Sequence, residues 1–243
     1  MSVDFPFTKT NLDGYLKALA KEYRKRSGGV RAEIILIGGA SVLINYGFRE
    51  LTYDVDAYYS APGVMKEAIN AVRDTLGLPN GWLNSDFKNT NSFTPRLAQY
   101  SEYYRTYSNV LEIRTIRAEY LIAMKLVSGR KYKKDLSDIV GILYEQSRAG
   151  KPITYEAVDK AVINLYGSWD KINEFSRSLL MAALETDDLE RMFVEQIQSE
   201  AEAREAVLEI DKKYPNYIRE DNINDVIEKA LAKKKKERDS EAR

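Results

Sequence analysis

The chain has 243 residues, with 37 basic and 37 acidic side chains and a formal net charge of zero. It contains neither cysteine nor histidine, which excludes disulfides, thiolate nucleophiles, Cys- or His-bound zinc and imidazole bases. Catalysis must then rest on carboxylates, lysine, arginine, hydroxyls or a bound metal, and an all-oxygen ligand set selects hard ions such as Mg²⁺ or Mn²⁺.

The opening MSVDFPFTKT lacks the basic-then-apolar pattern of a signal peptide, and no apolar run is long enough for a membrane span. A soluble, cytoplasmic protein with no membrane partner is expected. Residues 10–26 read as a helix: Leu12, Leu16, Leu19 and Tyr23 recur at helical spacing, Thr10 and Asp13 resemble a capping box, and Gly28–Gly29 stop it. Ile34–Ile37 is a continuous β-branched run and predicts a buried strand. Gly38–Gly39 follows, then a short helix ending at Gly47. Tyr53–Tyr59 predicts a second strand, with Val55, Ala57 and Tyr59 alternating against Asp54 and Asp56. Residues 62–76 predict an amphipathic helix with Pro62 near its start.

The Gly-, Asn-, Pro- and Ser-rich stretch 77–95 reads as a long loop, and Tyr103–Tyr107 with Asn109–Ile116 as an antiparallel pair. Helices are expected over 118–128 and 135–147, on either side of a basic stretch at 129–134, then over 155–166, 169–184 and 187–212. Gly150-Lys151-Pro152 suggests a boundary between a domain at 1–150 and a helical region at 151–243, whose charged tail AKKKKERDSEAR lacks apolar anchors and is expected to fray. The fold class is therefore α+β: a mixed sheet flanked by helices, followed by a helical C-terminal region. Charge is segregated, with seven basic residues against Glu119 over 114–134 and nine acids against two arginines over 185–209. The Lys233–Lys236 run is a solvated helix end or a weak attractor for RNA.

Asp54 and Asp56 carry the chemistry. Alternate residues of a strand share a face, so two carboxylates there repel each other unless a cation lies between them. An isolated Asp-x-Asp is more often a solvent-facing pair, and Gly38–Gly39 alone is more often a tight turn. Together they are more specific: glycines at a helix N-terminus let phosphate approach the backbone N–H groups, and Ser41 adds a hydroxyl in the first turn. Glu112 shares a strand face with Arg114, while Lys125 lies within an apolar helix. Asp135 and Asp138 share a helix face, where they favour the N-terminus electrostatically. Tyr100, Tyr103, Tyr104 and Tyr107 cluster after the loop, as half-buried sheet residues or as platforms for a base.

The run GGASVLINYGFRELTYDVDAYY resembles the signature of minimal nucleotidyltransferases of the DNA polymerase β superfamily, with Arg49, Thr52, Asp54 and Asp56 in register. Trp82-Leu83-Asn84 and AMKLVSGRKYKKDLSDIVGIL resemble later motifs of the branch that includes abortive-infection toxins of the AbiE type. The resemblance covers roughly residues 30–145. It implies transfer of a nucleoside monophosphate from an NTP, with Asp54 and Asp56 holding two metals and Glu112 as third carboxylate. It implies that Gly38, Gly39 and Ser41 cradle phosphate. Arg49 becomes a phosphate ligand or a partner of the aspartates, and Lys125 binds phosphate or base. Asp135 and Asp138 would lie near the nucleotide, orienting Lys125 or Arg130. The branch suggests tRNA or another RNA as acceptor and an antitoxin as partner. Antibiotic- and protein-modifying relatives leave small-molecule and protein acceptors open. The alternative is a degenerate module that binds nucleotide or a partner without transfer, and the acidic segment 185–209 is a candidate dock for a basic partner.

Overall fold

The computed structural model describes residues 5–215, 217–219 and 222–241, the side chains of 233–241 excepted. Among the described residues the chain forms strands β1 (Phe7–Thr8), β2 (Ala32–Leu36), β3 (Leu51–Thr52), β4 (Val55–Tyr59), β5 (Leu83–Asn84), β6 (Ser101–Tyr107) and β7 (Leu111–Ile116). The helices are α1 (Lys9–Ser27), α2 (Gly38–Asn45), α3 (Pro62–Leu76), α4 (Ala118–Ser128), α5 (Asp135–Arg148), α6 (Tyr155–Tyr166), α7 (Glu174–Glu185), α8 (Leu189–Lys213) and α9 (Ile223–Glu241). The fold is α+β, with a mixed sheet flanked by helices and a helical C-terminal region. No helix among the described residues is long and apolar enough to cross a membrane.

Two compact units are interleaved along the chain: Met1–Met124 with Glu156–Trp169, and Lys125–Tyr155 with Asp170–Arg243. The first unit holds the five-stranded sheet, in the order β5-β4-β2-β7-β6. β2 runs antiparallel to β4 and parallel to β7, β5 is parallel to β4, and β6 is antiparallel to β7. Period-two alternation decides the two faces. Ile34, Leu36, Val55, Ala57, Leu83, Leu111 and Ile113 point into one core with Leu12, Leu16 and Leu19 of α1 and Met65, Ala68 and Val72 of α3. The residues that alternate with them, on the other face, are Glu33, Ile35, Asp56, Tyr58, Asn84, Glu112 and Arg114, which pair in register with one another. Trp82 is buried in the core, with its indole N–H donated to Ile69 O at 3.2 Å.

The second unit packs α5, α7, α8 and α9 together. Ala203, Ile223 and Ile227 form an apolar cluster with Tyr132, Val207, Ile218 and Leu231 around it. Glu200, buried on α8, accepts the backbone N–H groups of Leu136 (2.9 Å) and Ser137 (3.0 Å) and the Ser137 hydroxyl. It thereby caps α5 from another helix, satisfying donors that the helix itself leaves open.

Several local expectations shift. The capping box of α1 is Thr8 with Asn11, not Thr10 with Asp13. The freed Asp13 carboxylate pairs with Arg105 at 2.7 Å and accepts the Tyr107 hydroxyl. The stretch 77–95 contains β5 and a 3₁₀ turn at Asp86–Asn89, and a second 3₁₀ turn, Pro95–Tyr100, begins at its end; these elements are too short to leave a periodic signal. The strand predicted over Tyr53–Tyr59 begins only at Val55, and a separate short strand, β3, precedes it and pairs with β1 through Thr52 and Phe7. At the C-terminus α9 runs in its backbone to Glu241. The Lys233–Lys236 side chains and residues 242–243 lie outside the described residues.

Candidate active site

β2 ends at Leu36, and Ile37 turns the chain into α2 in extended conformation (φ −128°, ψ 165°), with no side chain capping the helix. Gly38 takes φ +54°, a left-handed value that suits glycine. The N–H groups of the first turn have no carbonyl four residues back within the helix, so they form a small concentration of positive potential.

Two features aim this end of the helix at the aspartates. The Ile37 N–H donates to Asp56 O at 2.9 Å, holding β4 beside the turn. A Cβ built on Gly38 would stand 3.7 Å from Asp56 Oδ2. On the adjacent residue, a Cβ on Gly39 would lie 2.7 Å from Thr52 Oγ1 and 2.8 Å from Arg49 Nη2. A hydroxyl and a guanidinium thus press against bare backbone. The Thr52 hydroxyl donates to Asp54 Oδ1 (3.2 Å), and Arg49 Nε donates to Leu51 O (3.3 Å). Gly38, Gly39, Arg49, Thr52, Asp54 and Asp56 therefore converge. Asp54 sits in the link between β3 and β4 and is exposed, whereas Asp56 is on β4 and half-buried. The two aspartates reach one locus by a break in the chain rather than by alternation along a single strand.

Asn84, from the Trp-Leu-Asn element, is a site neighbour that sequence pattern does not reveal: it is the register partner of Asp56 and stands on the same face. Its amide is fixed at both ends, with Oδ1 accepting Asp86 N–H (2.8 Å) and Nδ2 donating to Gly81 O (3.2 Å).

Ser41, in the first turn of α2, is fully buried, and its Oγ accepts the Ile116 N–H at 3.2 Å, which pins α2 to β7. Glu112 stands elsewhere. Glu112 is paired in register with Glu33. Ile35 is opposite both Tyr58 and Arg114, so Asp56 and Ile116 both fall level with Ile37. Glu112 lies four residues down β7 from that level, about 13 Å along the strand. Its carboxylate binds Arg114 Nη1 at 2.7 Å. The third carboxylate expected at Glu112 therefore does not reach the aspartates. Among the described residues, no group of three acidic side chains is placed to hold a metal ion.

Lys125, Arg130, Asp135 and Asp138 form a network within the second unit. Lys125 Nζ lies 2.8 Å from both Asp135 Oδ1 and Asp138 Oδ2, and Arg130 Nε lies 2.6 Å from Asp135 Oδ2. Lys125 is 6% exposed and each aspartate 1%. Burial alone would raise the Asp135 carboxyl, but the Lys125 charge and the hydrogen bond and charge of Arg130 outweigh it and hold the group well below the usual carboxylate range. Lys125 does not snorkel to solvent; the two aspartates orient it. The rest of the basic stretch also has partners, with Lys131 Nζ bound to Glu228 at 2.5 Å and 4.1 Å from the centre of the Phe175 ring.

Neither the curated proteins nor the solved structures contain a match to this chain. A family model described as a nucleotidyltransferase of unknown function (DUF6036) matches residues 14–150, which takes in the Gly38–Gly39 turn, both aspartates and the Lys125 network. The match spans more than half of the 243 residues, and the chain belongs to this nucleotidyltransferase family.

Proposed function

We propose that this chain transfers a nucleoside monophosphate from an NTP to an acceptor hydroxyl at the site formed by Gly38, Gly39, Arg49, Thr52, Asp54 and Asp56. The observation that carries the reading is the convergence at Gly39, where bare backbone, the Thr52 hydroxyl and the Arg49 guanidinium meet beside two carboxylates. Mg²⁺ is commonly held by one or two carboxylates together with substrate phosphates. Asp54 and Asp56 with a triphosphate suit that donor set, and Mn²⁺ is the other hard ion the set would accept. The metal would neutralise charge on the phosphates. Arg49 and the α2 N-terminus would orient the phosphate chain by charge and hydrogen bonding.

The AbiE-type resemblance suggests tRNA or another RNA as acceptor, a toxin role, and an antitoxin as partner. The test is label transfer with Mg²⁺, each α-labelled NTP in turn and total RNA or cell extract, beside an Asp54→Ala, Asp56→Ala double variant. Label on RNA with the wild type alone supports the full reading, and label on protein or a small molecule redirects the acceptor. The displaced Glu112 favours one second reading, a module that binds NTP without transferring it. Metal-dependent NTP binding without transfer to any acceptor would select that reading. Absence of NTP binding would refute the site.

A further inference from the structure

Helix α8 has two faces with different surroundings. On one, Ala203 and Ala206 are buried, Val207 packs against the cluster of Ala203, Ile223 and Ile227, and Glu200 is spent on the start of α5. On the far side stand Val194, Ile197, Ala201 and Leu208, all open to solvent. Val194 is 49% exposed, Ile197 44% and Leu208 60%. At 3.6 residues per turn these four lie within about 60° of one another around the helix axis. Their spacing along the chain is that of heptad a and d positions, with Arg204 at the one position of the series that is not apolar. Single exposed apolar residues are ordinary, but a continuous stripe marks a surface that is covered by something else.

The charge beside the stripe is one-sided. Glu202, Glu205 and Glu209 run along one edge, and Glu190 lies in line with it towards the N-terminal end, all exposed. Arg204 is on the opposite edge. Glu195, beyond the acidic edge, is paired with Arg191 at 2.8 Å. This pattern selects the occupant. An apolar stripe at heptad spacing accepts another helix laid along it. The acids repel nucleic-acid phosphates and anionic headgroups. A second copy of this chain would set one acidic helix against another, like charge facing like charge. A helix with apolar residues at the same spacing and lysine or arginine beside them would bury the stripe and pair with Glu202, Glu205 and Glu209.

We propose that this face of α8 docks a cationic amphipathic helix of a partner protein. The surface is separate from the nucleotide chemistry, because α8 lies outside the residues 14–150 matched to the nucleotidyltransferase family. The test is fluorescence anisotropy on the full chain with two synthetic helical peptides. Both carry leucine at a and d; one is flanked by lysine and the other by glutamate. The lysine peptide should bind, less tightly as salt rises, and the glutamate peptide at least about 10-fold more weakly. Ile197→Ser with Leu208→Ser should weaken the lysine peptide about 30-fold. Glu202→Gln, Glu205→Gln and Glu209→Gln together should weaken it about 5-fold and flatten the salt dependence. Val30→Ser, at an exposed apolar residue elsewhere, should change nothing, and thermal melting checks that each variant is folded. No binding of the lysine peptide, equal binding of both peptides, or wild-type affinity in the Ile197→Ser, Leu208→Ser variant would each overturn the proposal. So would sedimentation of the wild type as a dimer that this variant dissolves, which would give the stripe to a second copy.

Discussion

Replacing Gly39 by alanine perturbs the tightest contact of the candidate site. Two effects oppose each other. In a helix, alanine is preferred to glycine by about 1 kcal/mol, and Gly39 has no positive φ to oppose the change. Against this, the new methyl would stand 2.7 Å from Thr52 Oγ1 and 2.8 Å from Arg49 Nη2. Thr52 is buried and β-branched, so it yields little. Arg49 is the long, flexible partner and should be the one displaced. Overpacking of this kind costs about 1–3 kcal/mol, so the net loss of stability should be about 0–2 kcal/mol by difference. Function should suffer more. Moving a guanidinium off a phosphate forfeits a charged hydrogen bond, which is about 10- to 100-fold in nucleotide affinity. Gly38→Ala should behave in the opposite way. Its φ of +54° costs a side chain about 1–2 kcal/mol, while its Cβ meets only Asp56 Oδ2 at an ordinary 3.7 Å. Urea unfolding and NTP binding on both variants would separate the two effects. A Gly39→Ala protein with wild-type NTP affinity would refute the reasoning that Arg49 and Thr52 must lie against bare backbone.

Lys125→Met should destabilise the protein by about 3–5 kcal/mol in urea unfolding, because it leaves Asp135 and Asp138 buried beside one another with one cation gone; a cost under about 1 kcal/mol would mean the network is effectively solvated. The Asp135 carboxyl is lowered on folding, so its stabilisation should be complete above the ordinary carboxylate pKa and disappear as pH falls through the depressed folded value; Asp135→Asn should remove that acid-limb dependence. Glu200 is shifted the other way, with burial pushing it up from 4.5 to about 7 against the hydrogen bonds from Ser137. Its ionisation therefore opposes folding, and stability should fall by roughly 3 kcal/mol as pH rises from about 4.5 to about 7. Glu200→Gln should flatten that slope while keeping an oxygen to cap α5, and an unchanged slope in pH-dependent melts would reassign it to another group. Trp82→Phe loses the indole bond to Ile69 O and should cost about 1 kcal/mol or somewhat more, without altering NTP affinity.

Much of the molecule is written in local pattern. α3 spans Pro62–Leu76 as its amphipathic spacing and Pro62 dictate, and α4 spans Ala118–Ser128 as predicted. β7 follows from the alternation of Leu111 and Ile113 with Glu112 and Arg114. Gly38–Gly39 after an apolar strand, followed by Arg49, Thr52, Asp54 and Asp56, was legible because backbone exposure and carboxylate pairing are properties of residue type and short spacing. That same segment lies within the match to the nucleotidyltransferase family.

What pattern could not reveal is which strand lies beside which, and in what register. Glu112 and Arg114 alternate on β7 as predicted, but only the pairing of Glu33 with Glu112 shows that this acid lies four residues below the level of Asp56. Only the packing of α2 on β7 gives the Ser41 hydroxyl the Ile116 N–H as a partner. Asn84 becomes a neighbour of Asp56 through a two-residue strand with no periodicity of its own. Arg117 meets Tyr100 across 17 residues of chain that fold out as the β6–β7 hairpin, and Glu200 finds the start of α5 from 64 residues away. These contacts are long-range in sequence, and their existence depends on the closure of the sheet and the docking of helices. Hydrophobic periodicity decides which face of each element is buried; the register of the strands decides which polar residues meet on the face left open.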